Sequence, residues 1–131
     1  MRINLETAKA EQKSPMRVAR GSHGICCIGF MIYVCSGKKS DQNLISSFER
    51  YDVLEDKWEM LQECQHASVR SLLIPFEKKF IYKVGGVNIS SKITDSVVTI
   101  RLLSFSGEIQ HFQKRVDGYR NFFEYHHRAA Q

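Results

Sequence analysis

Phe30-Met31-Ile32-Tyr33-Val34-Cys35-Ser36-Gly37 returns 49 residues later as Lys79-Phe80-Ile81-Tyr82-Lys83-Val84-Gly85-Gly86, with tyrosine on tyrosine and the closing glycine on glycine. Downstream, Phe48-Glu49-Arg50-Tyr51-Asp52 meets Val97-Val98-Thr99-Ile100-Arg101 at the same spacing. Upstream, Ile25-Cys26-Cys27-Ile28 meets Leu72-Leu73-Ile74-Pro75 at a spacing near 47. Three apolar stretches that recur in order mark a repeat architecture. Each is short, rich in Ile, Val, Phe and Tyr, and bounded by turn formers at 37–43, 54–57, 77–79, 85–92 and 104–107, so each reads as a strand.

A fourth strand is expected at Lys57-Trp58-Glu59-Met60-Leu61 in the first unit and at Glu108-Ile109-Gln110-His111-Phe112 in the second. Helical periodicity is not sustained across the central region. Loops of a few residues join sequential strands as antiparallel hairpins, so each unit is one small four-stranded sheet. The fold class is all-β, with units at 15–63 and 64–113. Residues 1–14 read as a linker, a frayed helix or the remnant of a strand from a preceding unit. Residues 114–131 form a tail that carries Tyr119, Phe122, Phe123 and Tyr125 without a period.

Composition narrows the function classes. The chain has 131 residues, 43% of them hydrophobic, which is enough for a core. Its net charge of +5 is spread over single basic residues apart from the pairs Lys38-Lys39 and Lys78-Lys79. A nucleic-acid surface would concentrate that charge in a run or stripe, so no nucleic-acid partner is expected. No window has the apolar length of a signal peptide or membrane span, which points to a cytoplasmic protein with no membrane partner.

Cys26, Cys27, Cys35 and Cys64 contain no C-x-x-C pair. They suggest neither a zinc site nor a disulfide framework, and reduced thiols with no visible partner for Cys35 or Cys64 are the expectation. Cys26 and Cys27 on one strand point to opposite faces. His23 and His66 fall near equivalent places at the start of each unit, yet no Cys, Asp or Glu stands beside them at ligand spacing. His126 and His127 lie in the unplaced tail. No metal, cofactor or catalytic residue is expected.

The order of motifs in the first unit resembles kelch repeats: Pro15-Met16, Arg20 and His23, then Ile32-Tyr33-Val34 closing on Ser36-Gly37, then Glu49-Arg50-Tyr51-Asp52, then Trp58. The period agrees with the kelch value of about 50 residues, and the resemblance spans roughly 15–112. Ser36-Gly37 stands where the family has a glycine doublet. The second unit keeps Gly85-Gly86 but has Ile100-Arg101 and Gly107-Glu108 at the Tyr-Asp and Trp positions.

The resemblance implies two four-stranded blades of a partial β-propeller, with Gly37, Tyr51, Asp52, Trp58, Gly85 and Gly86 as structural positions. Paired glycines would let the backbone leave a strand at positive φ and pack where a side chain would collide with the neighbouring blade. Tyr51 and Trp58 are expected to be packing anchors.

Propellers close with about four to eight blades. Two cannot close a ring, so the chain reads as a piece of a larger propeller, with self-association or marginal folding as the consequence of uncovered blade faces. The resemblance implies a scaffold or adaptor that binds partner proteins through blade loops, with Lys38, Lys39, Asp41, Asn43, Asn88 and Ser90 as the candidate contacts. The competing readings are a copper-dependent or other small-molecule enzyme of the propeller kind, and a non-functional repeat remnant. A copper site would need His and Tyr ligands converging from several blades.

Overall fold

The computed structural model describes residues 1–94 and 96–102, together with the backbone of 109–115. Every element in that range is a β-strand. A short hairpin, β1 (Arg2–Asn4) and β2 (Lys9–Glu11), is followed by β3 (Gly24–Ile28), β4 (Met31–Cys35), β5 (Phe48–Asp52) and β6 (Lys57–Leu61). Then come β7 (Leu72–Phe76), β8 (Phe80–Val84), β9 (Ser96–Leu102) and β10 (Ile109–Arg115). Strands β3 to β6 and β7 to β10 make two four-stranded antiparallel meanders, blade 1 and blade 2. Residues 103–108, which include Gly107-Glu108, and residues 116–131, with their aromatics and His126-His127, lie outside the described residues.

Alternation along the strands builds the core. Cys26, Tyr33, Cys35 and Phe48 share one face of blade 1, and Leu73, Ile81, Val98 and Ile100 share one face of blade 2. These residues form a single buried cluster between the two sheets, and β3 packs along β7. Burying such side chains supplies about 1.5–3 kcal/mol each, which is what holds two small sheets together.

The spacing of the first strands departs from the expected 47. Ile25 pairs with Val34 and Leu73 with Lys83, so Ile25 corresponds to Leu73 at a spacing of 48. The cause is turn length. Blade 1 joins β3 to β4 through Gly29-Phe30, whereas blade 2 joins β7 to β8 through Glu77-Lys78-Lys79. A one-residue slip exchanges the two faces of a strand, so the correction decides which side chains enter the core. It also separates the histidines. Gly21 bridges Lys38 as Val69 bridges Val87, which makes Ser71, not His66, the counterpart of His23 in blade 2.

Two further expectations are corrected. Cys35 and Cys64 are partners, joined as a disulfide across 29 residues, which ties β4 to the segment between the blades. The glycine doublet does not clear space for a neighbouring blade. A Cβ on Gly37 would stand 2.7 Å from the Gly21 carbonyl, and one on Gly86 would stand 2.9 Å from the Val69 carbonyl, so each glycine admits the entry segment of its own blade. The first member of the doublet needs only a left-handed backbone: Gly85 has φ +62° and Ser36 adopts φ +61°. That is why serine can stand there.

Candidate protein-binding site

The segment entering each blade is fastened by a buried charge. In blade 1 the Glu49 carboxylate accepts hydrogen bonds from the Arg17 and Val18 amides at 2.7 and 3.1 Å and from the Arg20 guanidinium at 2.5 Å. Arg20 also donates to the Ser36 and Ser47 carbonyls and to the Ser47 hydroxyl. Both charged side chains are fully buried. In blade 2 the position of Glu49 is Val98, and a lysine appears instead at the position of Val34. Lys83 is 3% exposed and donates to the His66 carbonyl at 2.5 Å. Burial lowers its pKa to about 8.

Each blade carries a tip loop, and the two loops are built alike. In the first, Lys39 and Asn43 close a turn by Lys39 N–H to Asn43 C=O and Gln42 N–H to Lys39 C=O. In the second, Asn88 and Lys92 do the same through Asn88 N–H to Lys92 C=O and Ser91 N–H to Asn88 C=O. Gln42 and Ser91 are both left-handed. Several candidate contacts are spent inside their own loops. Asp41 accepts from the amide and the side chain of Asn43, Lys38 donates to Gln42, and Asn88 accepts from the Ser90 and Lys92 amides. Lys39 and Ser90 stand exposed at the tips.

Sequence reasoning passed over the apolar members of the second loop. Ile89 and Ile93 are each 86% exposed, although nothing in a solvated turn calls for isoleucine. They stand at the mouth of a cleft of about 780 Å3 lined by Leu44, His66, Lys83, Asn88, Ile89 and Ile93. Leu44 is the blade 1 residue of that lining; the others belong to blade 2 and to the segment that leads into it. Among the described residues no three metal-ligating side chains gather, and no helix is long and apolar enough to cross a membrane.

Residues 19–65 match the kelch motif. The chain carries a kelch repeat. Its relatives agree: it is 31% identical to beta-scruin of Limulus polyphemus over 85 residues, covering 65% of this chain and 9% of that protein. It is 36% identical to kelch-like protein 36 of Bos taurus over 84 residues, covering 58% of this chain and 13% of that protein. Alpha-scruin of Limulus polyphemus is 26% identical over 85 residues. The chain thus spans about a tenth of the length of these relatives.

Within the kelch blade, Tyr51 and Trp58 are cross-strand partners whose rings lie 4.9 Å apart. Trp58 donates its indole N–H to the Ser14 carbonyl, and Tyr51 donates its hydroxyl to Asp56. That bond, more than burial, holds the Tyr51 phenol up at about 12. Asp52 accepts the Leu54 and Glu55 amides and so shapes the turn between β5 and β6. These kelch positions are occupied with structure. His23 is half-buried with an unpartnered Nδ1, and burial, followed by the nearby Arg20 charge, depresses its pKa. Cys26 is buried in the core, which pushes its thiol up to about 12, so it is a packing residue rather than a nucleophile.

Proposed function

We propose that this chain is a protein-interaction module, a scaffold or adaptor element that grips a polypeptide partner at the cleft beside the second tip loop. The exposed pair Ile89 and Ile93 beside the cleft carries the proposal. Apolar side chains rimmed by polar ones are a common mark of a protein contact, and hot spots form where such anchors become desolvated. Ser90 stands exposed beside Ile89, and Gln65 and Lys92 line the same cleft, so polar groups rim the apolar pair. Lys83, at the floor, favours a partner segment that brings an acidic group beside its apolar anchor. The kelch motif supports the same reading, since repeat arrays use the loops on one face for contact.

Selection of displayed peptides against the full chain, followed by titration against an Ile89→Asp/Ile93→Asp variant, tests it. Peptides with an apolar anchor and a nearby acid should bind the parent and lose at least about tenfold in affinity on the variant. Peptides that bind both proteins equally would place recognition elsewhere.

A further inference from the structure

The hairpin at residues 2–11 repeats residues 50–59 feature for feature at a spacing of 48. Arg2 pairs with Glu11 in register as Arg50 pairs with Glu59, and both pairs close an ion pair at 2.6 Å. Asn4 Oδ1 accepts the amides of Glu6 and Thr7, just as Asp52 Oδ1 accepts those of Leu54 and Glu55. The chain then turns left-handed at Ala8, φ +52°, as it does at Asp56, φ +50°. Residues 50–59 are the third and fourth strands of blade 1. Strand β5 there has β6 on one edge and β4 on the other, whereas β1 has β2 on one edge and no strand on the other among the described residues.

A second observation lies on another surface. Leu73 is 4% exposed because β3 of blade 1 packs over it; its counterpart in blade 1, Ile25, is 54% exposed. Cys27, two residues along the same face, is exposed as well. The entry segment docks on that face at Glu49, through the Arg17 and Val18 amides. The part at Ile25 and Cys27 is open.

One occupant answers both observations. We propose that β1–β2 is the outer half of a blade, and that its open edge and the Ile25–Cys27 face together receive a kelch-type inner hairpin from another segment of the same propeller. That hairpin is two antiparallel apolar strands of the Gly24–Cys35 kind. Its second strand adds to β1 in the register that joins β4 to β5, with an aromatic residue opposite Arg2 as Tyr33 stands opposite Arg50. Its outward face covers Ile25 and Cys27 as β3 covers Leu73. Strand addition of this kind satisfies a row of edge amides and hides an apolar face in one step. The assignment is independent of the loop reading above, because it concerns the opposite side of blade 1.

The test supplies such a hairpin. A copy of residues 22–48, with its cysteines changed to serine, is fused directly ahead of Met1 in the full chain, which places Arg2 where Arg50 falls in blade 1. The readouts are the alkylation rate of Cys27, the one exposed free thiol among the described residues, and the hydrogen exchange of Arg2–Asn4. Both should slow by about tenfold or more. Proline at the copied Ile32 and Val34 positions should restore both rates, since proline cannot donate to the ladder. Unchanged Cys27 alkylation in a fused chain that keeps its β-sheet spectrum would overturn the proposal. So would an unfused chain whose Cys27 is already shielded and becomes reactive on dilution, which would give the face to a second copy.

Discussion

The Arg20 guanidinium reaches Glu49 across 29 residues of sequence, at 2.5 Å, with both side chains fully buried. A pair so placed gains its strength from the low-dielectric surroundings and from further hydrogen bonds on both sides: the Arg17 and Val18 amides donate to the carboxylate, and the Ser36 and Ser47 carbonyls accept from the guanidinium.

Removing one partner leaves the other charged and alone. Arg20→Met should therefore cost about 3–5 kcal/mol in urea unfolding. Arg20→Met/Glu49→Gln should regain most of that loss, because the amide keeps an acceptor for the entry segment without the stranded charge. A double variant no better than the single one would mean that the guanidinium matters through packing alone.

The two members of the glycine doublet should respond differently. Gly85 has φ +62°, and a Cβ there would meet only the Thr94 carbonyl, at an ordinary contact distance of 3.4 Å. Gly85→Ala should cost about 1–2 kcal/mol, the ordinary penalty for a left-handed side chain. Gly86 has φ +108°, with backbone at 2.9 Å and the Ser71 hydroxyl at 2.5 Å from the new Cβ. Gly86→Ala should cost more than about 3 kcal/mol. Thermal or urea melts of the two variants check the order.

Lys83 makes stability depend on alkaline pH. Its pKa is lowered from 10.5 to about 8 in the fold by burial, so between those values the unfolded chain binds the extra proton. Stability then rises as pH climbs from about 8 to about 10.5, by at most about 3 kcal/mol. Below pH 8 the full cost of holding the ammonium in the core is present. Lys83→Met should flatten this rise and stabilise the protein at pH 7. Urea midpoints measured at pH 7 and pH 9.5 for both proteins give the answer.

The strands were legible because alternation and turn formers were strong and because the same three stretches occurred twice. Lys57 to Leu61 was read to the residue. The one-residue slip at β3 was not, since apolar neighbours such as Leu72 and Leu73 fit either face, and only the unequal hairpin turns decide between them. Glu49, flanked by Phe48 and Arg50, reads like any strand carboxylate, and only the fold ties it to its partner Arg20. Cys35 and Cys64 could not be paired from spacing, because the segment that carries Cys64 has no strand register. In the loops, charge and amide groups drew attention to Asp41, Asn43 and Asn88, which the turns consume internally, while the isoleucines beside them hold the exposed surface.

Tandem copies of one fold are liable to exchange parts while they form, since a segment that fits one copy can settle on the next. Here the carboxylate of Glu49 accepts from amides and the ammonium of Lys83 donates to a carbonyl, so each entry segment meets the opposite polarity on the wrong sheet. A swapped chain would bury an amide against an ammonium, or a carbonyl against a carboxylate. Each anchor therefore disfavours the entry segment of the other blade.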